Sequence, residues 1–234
     1  MPKENESSDE RETVDRLLDD ATYPSEIHGV QLRTQSYRGG SRRITVEIWE
    51  KTPNKSRLEV VSTETTSEFD SEIGVDQELG MNGLEKGGHL VIRNTGQLLK
   101  YDKENNEYQR YSFEAPEESA GSMIEPSLIG SSPQKNFDIT LIGAEEIAGR
   151  ETRILEFKPL EDAEPFYRRY DYVRIWTDEE YWIPMKHEAK YKLDDGTLVE
   201  TNEFESIEFE GIEDEIFEFE PPKDAEEVGQ TYSG

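Results

Sequence analysis

The sequence predicts a mainly β chain of the α+β class, with one large curved sheet of about ten or eleven antiparallel strands and a few short helices. Three observations carry this expectation. Apolar residues recur at every second position over most of the chain. Turns rich in Gly, Asn and Asp interrupt that alternation at short intervals. Helical spacing is confined to two short stretches.

Taken in order, residues 1–12 have no apolar residue after Met1 and read as a flexible acidic linker, leaving residues 13–234 as a single domain. Thr13 can cap a short helix with Val14, Leu17 and Leu18 on one side, and Tyr23-Pro24 ends it. Val30, Leu32, Thr34 and Ser36 then alternate along a first strand, and Gly39-Gly40 turns the chain. The next strand places Ile44, Val46 and Ile48 on one face and Thr45, Glu47 and Trp49 on the other. After the break at Thr52-Pro53-Asn54, Leu58 and Val60 continue the hairpin. Residues 62–86 are polar and Gly-spotted, which suits an exposed loop. Strands at 89–93 and 97–101 flank Asn94-Thr95-Gly96, and a third covers 107–113. The stretch 114–135 holds apolar pairs at Met123-Ile124 and Leu128-Ile129, so one or two short helices or a lid are expected there. Strands at 137–142, 144–147, 151–158, 170–177, 181–192 and 198–210 complete the set, with turns at Ala148-Gly149-Arg150, Asp178-Glu179-Glu180 and Asp194-Asp195-Gly196.

Composition sets the boundaries of function. The 234 residues carry 54 Asp+Glu against 26 Lys+Arg, a formal net charge of −28, and only 32% are hydrophobic. Such a balance alone would suggest disorder. Eleven Tyr, nine Phe and three Trp argue instead for a packed interior. The acid is spread along strands rather than gathered in a tail, as at Glu203, Glu205, Glu208 and Glu210, and reads as a coat. A carboxylate coat of this density points to an extreme-halophile, haloarchaeal source, where salt screens self-repulsion. It excludes nucleic acid as a partner and disfavours anionic headgroups. Cysteine is absent, so there is no disulfide and no thiolate metal site. No run of about 18 apolar residues is present. A polar leader of this kind often succeeds a removed export signal or a lipid-modified cysteine, so an exported, cell-surface, lipid-anchored precursor is expected.

The chemistry of catalysis is missing. His28, His89 and His187 lie far apart without metal-ligand spacing, and no nucleophile elbow, phosphate loop, dinucleotide fingerprint or zinc helix occurs. Carboxylates are so frequent that no acid–base pair stands out. The expectation is a non-enzymatic monomeric binding protein without cofactor, metal or catalytic residues.

Five segments in order carry a family resemblance. They are Pro53-Asn54-Lys55-Ser56-Arg57 between two strands; residues 90–102, with Gly96 in the turn and Tyr101-Asp102 at the end; Gly143-Ala144-Glu145 running to Gly149-Arg150; Trp176-Thr177-Asp178 followed by Trp182-Ile183-Pro184; and Phe217-Glu218-Phe219-Glu220-Pro221-Pro222. This set resembles the LolA-like lipoprotein carriers, the outer-membrane lipoprotein-sorting family. The resemblance implies an open antiparallel half-barrel with short helices over its concave apolar face and a cavity for acyl chains. The implied partner is a lipid or a lipidated protein. The other reading is an envelope-stress sensor or structural lipoprotein that binds another, membrane-anchored protein and has no ligand cavity. Leu32, Ile44, Val46, Ile48, Leu58 and Val60 are the expected cavity lining, with Arg42 and Arg43 at its rim.

Overall fold

Alternation every two residues dictates strands, and tight turns between them dictate a meander; both are realised in a computed structural model that describes residues 24–66, 69, 88–112, 129–130 and 132–228. The first meander contains β1 (Glu26–Tyr37), β2 (Gly40–Lys51), β3 (Lys55–Thr65), β4 (His89–Asn94), β5 (Gln97–Asp102) and β6 (Glu107–Ser112). The second contains β7 (Phe137–Ile147), β8 (Arg150–Pro159), β9 (Tyr170–Asp178), β10 (Pro184–Leu193) and β11 (Gly196–Glu208), and β12 (Glu226–Glu227) closes the described chain. The only helical elements among the described residues are 3-10 turns at Pro133–Lys135, Tyr167–Arg169 and Asp214–Phe217. The helices expected at 14–18 and 123–128, the linker 1–12 and most of the loop 62–86 lie outside the described residues.

All twelve strands form one open sheet in the order β12-β6-β5-β4-β3-β2-β1-β11-β10-β9-β8-β7. Every neighbouring pair is antiparallel except β12 and β6. The first strand therefore sits mid-sheet, where it joins the two meanders by pairing with β2 on one side and β11 on the other. Turn chemistry fixes the hairpins. Arg38 and Gly39 take φ of 50° and 86°, and Ala148 and Gly149 take 52° and 77°, the left-handed pairs that match the twist of two-residue hairpins.

Two departures from the expected strands have one cause. The segments 137–142 and 144–147 are a single strand, β7, interrupted by a bulge between Leu141 and Gly143. A second bulge lies in β3 opposite Thr45 and Val46. An extra residue in a ladder turns its side chain out of step. Ile142 and Val61, the residues at these bulges, are the two most exposed large aliphatic side chains among the described residues, 45% and 55% exposed.

The sheet is curled. Ile147 at the end of β7 joins a buried cluster with Ile27, Met185 and Phe204, and β7 touches β11 although three strands separate them in the ladder. The inner face of this curl carries the main core, with Leu155, Phe157, Val173, Ile175, Ala189 and Leu198. Gly29 of β1 has to be glycine here, since a Cβ would lie 2.8 Å from the Phe204 ring.

On the outer face of the first meander, residues 209–228 run as a strap. Lys51 Nζ donates to the Ile212 carbonyl at 3.1 Å and pairs with Glu26 and Asp214 at 3.1 and 2.8 Å. Glu26 in turn accepts the Ile212 amide at 2.9 Å. Arg57 donates to the Ile216 carbonyl, Phe217 is buried, and Phe219 packs on Tyr101. The Glu226 and Val228 amides bond the Asn106 and Tyr108 carbonyls, which docks β12 on the free edge of β6.

Candidate binding face

Register across the sheet decides which side chains share the inner face. Ile48 lies opposite Leu58, and Val46 opposite Val60. Together with Ile44 these residues form one cluster, each at most 3% exposed, joined among the described residues only by Val91 of β4. Five of the six expected lining residues are thus brought together.

Leu32 is not among them. It pairs with Thr45 and Glu203 on the outer face, while the odd-numbered positions of β1, from Ile27 to Tyr37, point inward. The two arginines also separate. Arg42 faces inward and is buried, whereas Arg43 is exposed on the other side. Alternation alone favours the even residues of β1 because Val30 and Leu32 are apolar. The ladder to β2, in which Arg33 faces Ile44 and Gln31 faces Val46, overrules that choice.

Sequence reasoning missed what the odd positions bring inward. One row across the sheet runs Thr65, Arg42, Gln35, Glu200, Ala189. The next runs Thr63, Ile44, Arg33, Asn202, His187, Ile175. Together they form a polar seam between the apolar cluster of β2 and β3 and the main core of the second meander. Within it Gln35 Nε2 donates to Glu200 Oε1 at 2.7 Å, and Arg33 Nε donates to Gln31 Oε1 at 2.8 Å.

The seam is costly to desolvate, and its titrations reflect that cost. Burial lowers the Arg33 guanidinium to about 10, which leaves it charged at neutral pH. Burial, with Arg33 nearby, pushes His187 down to about 4, so its imidazole is neutral. Burial also raises the Tyr191 hydroxyl, and Glu200 adds to that shift. Such groups persist on a curled apolar face only with partners. Their presence divides the inner face into two apolar walls with a polar strip between them. A signal was available in the sequence: Gln31, Arg33 and Gln35 share parity with Ile27 and Tyr37.

The outer face does different work. His28 stacks on Trp49 with ring centroids 5.1 Å apart, and the Arg57 guanidinium lies 5.5 Å from the same indole. Trp49 is thereby held between two side chains, beneath the strap. Among the described residues no group of three or more His, Asp or Glu is placed to hold a metal ion, and no helix is long and apolar enough to cross a membrane.

The arrangement resembles known proteins at the level of fold. The Pseudomonas aeruginosa MucA/MucB complex matches with a TM-score of 0.55 at 15% identity, over 91% of this chain and 62% of that one. An uncharacterized conserved protein from Thermus thermophilus matches with a TM-score of 0.50 at 9% identity, over 93% of this chain and 97% of that one. The uncharacterized protein MJ0687 of Methanocaldococcus jannaschii is 26% identical over 146 residues, 61% of this chain and 38% of its own length. The chain thus spans less than two thirds of MJ0687 and of the MucB chain. The family model of the MucB/RseB N-terminal domain, itself LolA-like, matches residues 87–226 and takes in four of the five segments that carried the resemblance. The chain belongs to the MucB/RseB N-terminal domain family.

Proposed function

We propose that this chain is a non-enzymatic binding protein that holds acyl chains, of a lipid or of a lipidated polypeptide, against the inner face of its half-barrel. One observation carries the reading. The cluster of Ile44, Val46, Ile48, Leu58 and Val60 is a second apolar wall, apart from the main core, and among the described residues only Val91 packs on it. Removing apolar surface from water is worth about 25 cal/mol per Å². Since the wall is at most 3% exposed, an acyl chain gains this by exchanging with the groups that already cover it. The half-barrel class supports the same reading, and an exported, lipid-anchored precursor facing away from the cytoplasm suits it.

The test is native mass spectrometry after mild purification, with fluorescent fatty-acid titration of Val46→Asp beside the parent chain. Co-purifying acyl chains, and loss of probe uptake in a variant that keeps its cooperative melting, support the reading. An empty parent chain that takes up no probe sinks it. If Val46→Asp instead unfolds the chain, the wall is a closed core.

A second reading has its own support. The structure of the MucA/MucB complex places the MucB relative with a protein partner. On that reading this chain binds a membrane-anchored polypeptide and uses no ligand cavity. A stable one-to-one partner recovered with the empty chain would favour it.

A further inference from the structure

At the β6 end the inner face changes character. Val91, the residue that joins the apolar wall, is followed across the ladder by Lys100 and Gln109, and His89, Asp102 and Glu107 form the adjacent row. The strap returns to this face at its end. Glu226 pairs with Glu107, and the Val228 amide bonds the Tyr108 carbonyl, which sets Val228 beside the recess. These residues line a recess of about 260 Å³ that spans β4, β5 and β6, with Val228 at its edge. This volume falls just short of the roughly 300 Å³ where whole-ligand pockets begin, so it suits one end of a ligand.

The recess contains an unsatisfied group. His89 is 8% exposed, and among the described residues neither ring nitrogen makes a hydrogen bond. Its nearest acid, Asp102 Oδ2, is 3.3 Å from Nε2. Asp102 is already engaged: Oδ1 accepts the Glu104 and Asn105 amides at 2.9 and 3.2 Å, and Oδ2 accepts Asn105 Nδ2 at 2.7 Å. A buried imidazole whose nitrogens make no hydrogen bond, with a carboxylate already engaged elsewhere 3.3 Å from Nε2, gains from a further polar partner.

We infer that this recess is a head-group subsite for an uncharged, hydroxyl-bearing amphiphile whose chain lies along the Leu58–Val91 wall; the inference rests on the acyl-chain reading above. The lining chooses the head. His89, Lys100 and Gln109 can donate, and Asp102, Glu107 and Gln109 can accept, which is the mixed pattern that hydroxyls satisfy in both directions. Two carboxylates against one ammonium disfavour an anionic phosphate or sulfate. Continuity through Val91 lets head and chain bind together, so neither part alone carries the full affinity.

Titration calorimetry with octyl glucoside and octyl sulfate, each below its critical micelle concentration, tests this on the whole chain. The expected result is glucoside bound at least about five-fold tighter, the worth of one net hydrogen bond near 1 kcal/mol. His89→Phe keeps the ring volume and should bring glucoside down to the sulfate level while leaving sulfate unchanged. Gln109→Leu, at a half-buried strand position, repeats the measurement in case His89→Phe does not fold. Equal binding of both heads, tighter sulfate, or glucoside affinity unmoved in a folded variant overturns the subsite. If neither amphiphile binds the parent chain, the acyl-chain reading itself has failed, and the subsite fails with it.

Discussion

In the second meander Leu155, Phe157, Val173 and Ile175 have no exposed surface and share one core with a set of aromatic rings, with Phe137 6.0 Å from Phe157 and Tyr170 4.8 Å from Tyr191. In the first meander the inner face of β2, β3 and β4 carries, among the described residues, a cluster of five aliphatic residues with Val91, then turns polar toward β6, while the outer face is held by the strap. One half closes a large core around its own strands, with Tyr37 of β1 and Ile129 added to it. The other has a small wall on the inside and needs a distant segment on the outside. The contrast is one of cluster size: among the described residues the second meander's core has eleven buried members and the wall of the first has five.

Truncating the self-contained half should cost the most. Phe157→Ala removes a fully buried ring from the main core and is expected to destabilise by about 4 kcal/mol, measured as a fall in the urea midpoint at constant slope. Leu58→Ala, in the smaller wall, should cost about 2–3 kcal/mol, at the low end for buried leucine, and should weaken acyl-probe binding as well. Should Leu58→Ala cost as much as Phe157→Ala, the two halves are equally closed and the contrast fails.

His187 sits in the seam where the halves meet. Its folded value of about 4 lies below the ordinary 6.5, so between those pH values the unfolded chain binds a proton that the folded chain refuses. Stability from this group is therefore full above 6.5 and declines as pH falls toward 4. The effect is at most about 2 kcal/mol, because the ring is partly open to solvent. His187→Asn should flatten the difference in urea midpoint between pH 7.5 and pH 5 relative to the parent chain. An identical pH dependence in the variant would mean that the seam does not desolvate this ring.

Most of the sheet was legible because short-range chemistry specifies it. Gly96 sets the β4–β5 turn and Gly149 the β7–β8 turn, since glycine accepts the positive φ each takes, 74° and 77°. Ile44, Val46 and Ile48 announce the inner wall by alternation, and the ladder keeps them there. What stayed hidden depends on partners far along the chain. Leu32 reads as inward because nothing local shows that Arg33 will face Ile44. The bulge at Ile142 looks like a strand break, and β12 has two residues with no strand signal of their own until β6 offers an edge. The seam is easily passed over because its residues are polar, and polarity in a strand ordinarily marks the solvent side; only their shared parity with Ile27 and Tyr37 points inward.

The smallest expected effect concerns the strap, and it sharpens the comparison without unfolding either half. The Ile212 amide and Lys51 hold the Glu26 carboxyl below its usual range, and Lys51 with Lys55 does the same for Asp214. Asp214 and Glu26 in turn raise Lys51. Carboxyls with depressed folded values stabilise the folded form above their unfolded values and lose that contribution as pH falls through the folded ones. The raised Lys51 contributes below its unfolded value and fades only as pH rises through the folded one, far above neutrality. The acid side therefore governs. Hydrogen exchange at the Ile212 amide, corrected for intrinsic rates, should lose protection as pH drops below the ordinary carboxyl range, while amides of β8 and β9 stay protected. In Lys51→Met the two carboxyls return toward ordinary values, so the Ile212 amide should open at higher pH than in the parent chain. If Ile212 and the second meander instead lose protection together, the strap is part of the same cooperative unit as the core. The first half would then depend on it as closely as the second depends on its own strands.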